Sequence, residues 1–199
     1  MSATGSRNAK QGQVRIIGGQ WRGRKLSFPP ADGLRPTGDR TRETLFNWLA
    51  PHIHGARCAD LFAGSGALGL EALSRGAAHC DFVDIAGAAV RQIQHHLETL
   101  GALDRGSCHV LSAQQYLEQA ATPCDIVFVD PPFALQLTGA VCALLADSPA
   151  LNEGALIYIE TAASEPMPDI PPQWTLHRER AAGGVTYRLF IHSAVADSH

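Results

Sequence analysis

The sequence predicts an α/β chain: a mostly parallel seven-stranded sheet with helices on both faces and an antiparallel C-terminal edge. Three observations carry this. From Arg57 onward, short apolar runs alternate with segments of helical length, the pattern of right-handed βαβ crossovers. A glycine-rich turn, Gly64-Ser-Gly66, follows the first of those runs. The last two runs flank Gly183–Gly184, which makes them an antiparallel pair.

The elements follow in order. Val14–Ile17 and Lys25–Phe28 read as short strands of a small hairpin around Gly18–Gly23. Thr37 or Asp39 can cap a helix from about Arg40 to Ala50, with Leu45, Phe46 and Leu49 as its apolar stripe and Pro51 closing it. The alternation then runs strand Arg57–Phe62, helix Ala67–Arg75, strand His79–Asp84, helix Gly87–Leu100, strand Cys108–Leu111, helix Ala113–Ala121, strand Asp125–Val129, helix Thr138–Ala146 and strand Ala155–Glu160. A proline-rich loop, Pro166 to Pro172, precedes the final strands Trp174–Arg180 and Val185–His192. Ligands of such sheets bind at the carboxyl ends of the strands, so the chemistry is expected just after the first four strands of the sheet.

Composition agrees with a globular domain. The chain has 199 residues, 45% apolar and 18% charged, which excludes wholesale disorder, collagen and coiled coil. No apolar run reaches the roughly 20 residues that span a bilayer. Met1 to Gln13 is polar and lacks the apolar stretch of a secretory signal, so an intracellular, cytoplasmic protein is expected. Cys58, Cys80, Cys108, Cys124 and Cys142 are odd in number and widely spaced. They read as small buried side chains in a reducing compartment. No CxxC or Cys/His cluster offers metal-ligand spacing, and no metal is expected.

Charge is unevenly spread. Residues 1–57 hold ten of the sixteen Lys and Arg but three of the nineteen acids, so a basic first quarter precedes an acidic body. That asymmetry is expected of an arm that meets a polyanion. Gly18, Gly19 and Gly23 stand among Trp21, Arg22, Arg24 and Lys25. The glycines would admit phosphates close to the backbone, and Trp21 would offer a stacking face.

The candidate site residues lie where the strands end. Asp60-Leu-Phe62-Ala63-Gly64-Ser65-Gly66-Ala-Leu-Gly69 turns tightly into a helix N-terminus, as nucleotide-like ligands require. Asp60 would repel a pyrophosphate and suits a cationic ligand without phosphate, such as S-adenosylmethionine. Asp84 ends the next strand, where an acid accepts hydrogen bonds from ribose hydroxyls. Ser112-Ala113-Gln114 follows the third strand, placed either to meet an adenine edge or simply to cap a helix. Asp130-Pro131-Pro132-Phe133 follows the buried run Ile126–Val129. Its prolines fix φ and remove two donors, so the turn presents rigid acceptors beside an aromatic ring. Acceptors bonded to a nucleobase amine hold its nitrogen toward an electrophile, and Phe133 can stack on an extruded base.

These residues resemble a known group. Asp130-Pro-Pro-Phe133 is similar to the Asp/Asn-Pro-Pro-Phe/Tyr signature of amino methyltransferases with a Rossmann-like, class I methyltransferase fold. Arg15-Ile-Ile-Gly-Gly-Gln-Trp-Arg-Gly-Arg-Lys25 and Arg35-Pro-Thr-Gly-Asp-Arg-Thr-Arg-Glu-Thr-Leu-Phe-Asn-Trp-Leu49 resemble the bacterial RsmD family, from about Val14 to His192. The resemblance implies S-adenosylmethionine-dependent methylation of the exocyclic amine of guanine 966 in 16S ribosomal RNA, within an assembling small subunit. It also implies a cofactor site of Asp60, Phe62, Ala63, Gly64, Ser65, Gly66, Gly69, Asp84, Ser112, Ala113 and Asp130. Asp130 to Phe133 would hold the guanine. Arg15, Trp21, Arg22, Arg24, Lys25, Arg35, Thr37, Arg40 and Arg42 would face the RNA. The chain departs from its relatives in having Ser112-Ala113-Gln114 where many carry an acid, and Asp84 where many carry Glu.

The expected organisation is a flexible tail over 1–13, a basic RNA-binding extension over 14–52 and the methyltransferase domain over 53–199, acting as a monomer. Three other readings stay open at this point: a DNA adenine or cytosine amino methyltransferase, a nicotinamide-dependent oxidoreductase, and a non-catalytic RNA-binding protein.

Overall fold

A computed structural model describes residues 12–28, 37–119 and 122–193. The expected flexible tail lies almost wholly outside the described residues, as does Arg35. An antiparallel pair, β1 (Gly12–Arg15) and β2 (Lys25–Phe28), precedes α1 (Asp39–Leu49). There follow β3 (Arg57–Asp60), α2 (Ala67–Ser74), β4 (His79–Asp84), α3 (Gly87–Thr99), β5 (Gly106–Val110), α4 (Ala113–Gln119) and β6 (Cys124–Val129). The chain ends with α5 (Thr138–Asp147), β7 (Leu151–Ala162), β8 (Trp174–Ala182) and β9 (Val185–His192). The main sheet has seven strands in the order β5-β4-β3-β6-β7-β9-β8, parallel from β5 to β7 and antiparallel beyond.

Several elements differ from the sequence expectation in extent: β1 is Gly12–Arg15 against an expected Val14–Ile17, β3 ends at Asp60 and not Phe62, and β8 runs to Ala182 and not Arg180. β7 starts at Leu151, before the expected Ala155, because Leu151 pairs with Cys124, and it runs on to Ala162 against Val185. β5 begins at Gly106, whose register partner is Cys80. Among the described residues no helix is long and apolar enough to cross a membrane.

Strand alternation sorts the core onto two faces. Cys58, Phe82, Ile126, Phe128, Leu156 and Tyr158 lie in one buried cluster with Leu45, Phe46 and Leu49 of α1, Leu70 and Leu73 of α2, and Ile93 and Leu97 of α3. Ala59, Val83, Val127, Val129, Ile157 and Ile159 join Tyr116 and Leu117 of α4 and Val141, Cys142 and Leu145 of α5 on the other face. Ile16, Trp21 and Leu26 belong to the first cluster, so the N-terminal hairpin is packed into the same core as the sheet. Gly69 makes one such contact possible. A Cβ there would lie 2.3 Å from the Phe82 ring, so only glycine lets α2 sit this close to β4.

The period-2 pattern also places the acids. Asp60 follows Cys58, Asp84 follows Phe82, Asp130 follows Phe128 and Glu160 follows Tyr158. Each stands two residues beyond a side chain of the α1–α3 face, so the four carboxylates continue that face at the carboxyl ends of adjacent strands.

Candidate active site

Asp60 closes β3 fully buried. Its Oδ2 accepts a 3.2 Å hydrogen bond from the Gly69 N–H, while Oδ1 is buried without a partner. Burial, helped by the charge of Asp84 and opposed by the Gly69 and Phe62 N–H groups, pushes its carboxyl up to about 7. An orphaned carboxylate oxygen in this turn is an acceptor awaiting a donor, and a cationic ligand would supply one. Gly64 and Gly66 have φ of 52° and 78°, the left-handed backbone that the turn into α2 demands. Ala63 and Ser65 are buried and Phe62 is half-buried. Gly69, expected to line the ligand turn, instead sits inside α2, where its N–H serves Asp60 and its bare Cα packs on Phe82.

Asp84 accepts 2.8 Å bonds from the Gly64 N–H at Oδ2 and from the Ala86 N–H at Oδ1, which ties the ends of β3 and β4 together. Next to it Ile85 is 74% exposed. Sequence reasoning missed it; the signal was an isoleucine directly after a strand-ending acid, where a solvated loop would begin. Ser112 makes the helix cap that the sequence offered as one of its two readings. Its Oγ accepts from the Gln115 N–H at 3.1 Å, and its own N–H donates to Gln115 Oε1 at 3.0 Å. This reciprocal pair caps α4. Ala113 is buried behind it.

Asp130 stands after β6, with Pro131 buried, Pro132 exposed and Phe133 half-buried at the start of a single 3-10 turn, Phe133–Leu135. The Thr37 hydroxyl lies 3.1 Å from Asp130 Oδ2 and 3.4 Å from Glu160 Oε2. The Tyr158 hydroxyl donates to the same Glu160 oxygen at 2.8 Å. Burial, then the charges of Glu160 and Asp60, push the Asp130 carboxyl well above the usual carboxylate range, against the pull of the Thr37 hydrogen bond. Glu160 and Tyr158 were absent from the sequence expectation, which stopped at the fourth strand of the sheet. The available signal was Glu160 itself, an acid closing the apolar run Ala155–Ile159.

The basic segment divides in two. Arg15, Arg22, Arg24, Lys25 and Arg40 are exposed, with Arg15 3.3 Å from Asp39. Trp21 and Arg42 are corrections. Trp21 is 6% exposed, packed in the core beneath the Arg105 guanidinium, whose carbon lies 5.1 Å from the ring centroid. It therefore offers no stacking face. Arg42 is 1% exposed and spends its donors on Asp39, Glu71 and the Thr37 and Arg15 carbonyls, so it is a strut inside the fold and not an RNA contact. Gly18 and Gly19 also serve packing. A Cβ on Gly19 would lie 1.9 Å from the Ser74 carbonyl oxygen, because this turn wraps the end of α2. Glu71 accepts from the Ile17 and Gly18 N–H groups, and the Ser74 hydroxyl donates to the Gly18 carbonyl.

The remaining polar features lie elsewhere. His96 is buried, its Nε2 2.7 Å from the Ser27 carbonyl, joining α3 to β2. The five cysteines are free thiols, four of them buried. Among the described residues no group of three His, Cys, Asp or Glu could hold a metal ion. A cavity of about 290 Å³ lined by His52, His54, Asp125 and Glu153, among others, contains none of the candidate site residues.

A sheet of this order, with its glycine turn and four acids at the carboxyl ends of β3, β4, β6 and β7, defines a Rossmann-like methyltransferase. The family described as Conserved hypothetical protein 95 matches residues 14–191. Ribosomal RNA small subunit methyltransferase D of Escherichia coli (strain K12) is 52% identical over 189 residues, 94% of either chain. The protein of that name from Haemophilus influenzae is 45% identical over 186 residues, 92% of this chain and 95% of that one. Among solved structures, yhhF from E. coli superposes with a TM-score of 0.86 at 50% identity, covering 92% of this chain and 99% of that one. The chain belongs to the ribosomal RNA small subunit methyltransferase D family.

Proposed function

We propose that this protein transfers a methyl group from S-adenosylmethionine to the exocyclic amine of guanine 966 in 16S ribosomal RNA. It acts as a monomer in the cytoplasm, on the assembling small subunit. The carrying observation is the contact of Thr37 with Asp130. It joins the start of α1, in the basic segment, to the rigid turn that would hold the amine. Family membership supports the substrate, since the relatives are named for ribosomal RNA.

When bound, S-adenosylmethionine supplies an electrophilic methyl group. The unpartnered Oδ1 of Asp60 fits its ammonium, Asp84 fits the ribose, and the exposed Ile85 offers apolar surface to the adenine. Asp130 accepts a hydrogen bond from the target amine and aims its lone pair, and Phe133 stacks on the base. As the C–N bond forms, the S–CH3 bond breaks with its electron pair left on sulfur, and the extra proton on the nitrogen departs to the Asp130 side or to water. The exposed cations Arg15, Arg22, Arg24, Lys25 and Arg40 meet backbone phosphates.

The test is transfer of labelled methyl to small subunits from cells lacking the gene, with the product nucleoside identified by mass spectrometry. Guanosine methylated on its exocyclic amine is expected. Label entering DNA instead, or entering neither polymer, would overturn the reading.

Two further outcomes are expected. Arg22→Ala with Arg24→Ala should weaken RNA binding and lower the slope of log K against log salt by roughly 1.5, the share of two phosphate contacts; an unchanged slope removes this surface from the interface. Cofactor affinity should rise with pH through about 7, because below that value Asp60 is a neutral acid and above it the carboxylate that an ammonium needs. Calorimetry in buffers of different ionisation enthalpy would detect the accompanying proton release. Asp60→Asn should weaken binding roughly tenfold or more and remove its pH dependence. Affinity that stays flat from pH 5.5 to 8.5 in the parent protein would contradict this.

A further inference from the structure

β8 is the outer edge of the sheet, and its ladder with β9 is not regular. Pairing runs from Trp174↔His192 to Leu176↔Phe190, then skips to Arg178↔Leu189, Glu179↔Arg188 and Arg180↔Tyr187. His177 is the extra residue of a β-bulge. Without it the same ladder would continue as Arg178 opposite Arg188, Glu179 opposite Tyr187 and Arg180 opposite Thr186. The bulge therefore exchanges the faces of the three charges. Tyr187 and Leu189 lie in the cluster of the α1–α3 face, so Arg178 and Arg180 stand on that face. Glu179 turns to the other, where it meets Arg188.

That face carries the site. Arg180 pairs with Tyr187 and Tyr187 with Glu160, so one row across three strands leads from Arg180 to the acid that meets Thr37 beside Asp130. Two strand spacings put the Arg180 and Glu160 backbones about 10 Å apart. Beyond residue 57 the acidic body has six cations, all arginines. Arg75, Arg105 and Arg188 are engaged, with Glu71, the Trp21 ring and Glu179. Arg178 and Arg180 are exposed, and among the described residues neither has a carboxylate within ion-pair distance. Arg178 donates to the adjacent His177 carbonyl. The hairpin tip above them is bare, since a Cβ on Gly183 or Gly184 would meet nothing within 4 Å. A charged, bulged edge also deters pairing with other chains. That protection is indifferent to which face holds the cations, whereas here the acid is neutralised on one face and both arginines are left open on the other.

We infer that Arg178 and Arg180 form a second phosphate-binding surface, which grips the RNA on the side of the site away from the N-terminal hairpin. This rests on the substrate reading given above and extends it to a part of the chain outside the basic segment. The hairpin is fastened to α2 and α3, whereas Trp48 of α1 lies on Tyr187 of β9, ring centroids 5.3 Å apart. The two sets of cations thus flank α1, and Asp130, at the end of β6 in the middle of the sheet, lies between them. A strand that delivers a base to Asp130 has backbone on both sides of that base, so it meets positive charge in both directions. Arg178 and Arg180, two residues apart on one face, are spaced by roughly 7 Å, close to the spacing of successive phosphates.

The test is binding and turnover of small subunits by the Arg178→Ala, Arg180→Ala protein across a range of salt. The slope of log K against log salt should fall by roughly 1.5, the share of two phosphate contacts. KM should rise about five- to tenfold with kcat within about twofold, because the contacts are the same in ground and transition states. Arg178→Lys with Arg180→Lys keeps two point charges, which phosphate accepts, and should restore slope and KM. Joined to Arg22→Ala and Arg24→Ala, the loss of slope should add to about 3, since separate phosphates are involved. A photo-crosslinking side chain in place of Arg180 should capture 16S ribosomal RNA in the subunit. Parent values of slope and KM in the double alanine protein would overturn the inference, and so would capture of a subunit protein in place of RNA. A parent protein that transfers no methyl group to subunits would instead overturn the substrate reading, so the two failures are distinguishable.

Discussion

Asp130→Ala is expected to lower methyl transfer at least a thousandfold while cofactor affinity changes less than about threefold. An exocyclic amine is a poor nucleophile because its lone pair is delocalised into the ring. An acceptor on its hydrogens draws the nitrogen toward a tetrahedral, nucleophilic geometry and stabilises the charge that develops there; one such electrostatic contact is typically worth about 10²–10³ in rate. The carboxylate also receives the departing proton, a contribution of similar size. Asp130→Asn keeps an acceptor oxygen on the same rigid Pro131-Pro132 support and should lose only the proton-uptake share, about a hundredfold, separating orientation from proton uptake. Folding is an independent check. Burial, then the charges of Glu160 and Asp60, work against an ionised Asp130, so its removal relieves that cost, and the alanine variant should melt no lower than the parent at pH 8. Near-normal turnover in a folded Asp130→Ala protein would end the amine-orienting role.

The legible part of the sequence was the part governed by short-range rules. Alternation of apolar runs and helical segments gave the parallel sheet because β3, β4 and β6 are buried on both faces, and β6 reads as a continuous apolar run from Ile126 to Val129. Gly183–Gly184 gave the antiparallel edge because its backbone is left-handed at both positions. The acids after β3, β4 and β6 stood out because a charge directly after such a strand has few structural uses. What stayed hidden depends on tertiary pairing. Arg42 and Arg40 look alike in the sequence, yet one is enclosed and the other exposed, since only Arg42 meets Glu71. Trp21 amid arginines reads as a stacking platform until Ile16, Leu26 and the end of α2 close around it. Glu160 ends the fifth strand, beyond the four after which the chemistry is expected, although it repeats the pattern of their terminal acids.

Glu71→Ala is the substitution expected to cost the most stability, about 3–5 kcal/mol, the usual consequence of stranding a buried charge. Glu71 is 0% exposed, and both of its oxygens are used twice. Oε2 accepts from the Ile17 N–H at 2.9 Å and faces Arg42 Nη1 at 3.5 Å; Oε1 accepts from the Gly18 N–H and from Arg75 Nε, each at 2.8 Å. Alanine would leave two backbone N–H groups without partners and the enclosed Arg42 without one of its two carboxylates. At roughly 2–4 °C per kcal/mol for a chain of this size, the melting temperature should fall by about 6–20 °C. Glu71→Gln retains one acceptor oxygen but turns an NH2 toward donors, so it should fall between the parent and alanine. The loss should not be uniform. Amide exchange should speed up first at Ile17, Gly18 and Trp21, whose N–H groups are held by Glu71 and Ser74. Turnover should also suffer, because Arg42 Nε holds the Thr37 carbonyl at 3.2 Å and Thr37 in turn holds Asp130. Arg22→Ala, on the exposed side of the same hairpin, should shift stability by less than about 0.5 kcal/mol. A Glu71→Ala protein that melts within about 2 °C of the parent would show that the buried carboxylate is not what fastens the hairpin to α2.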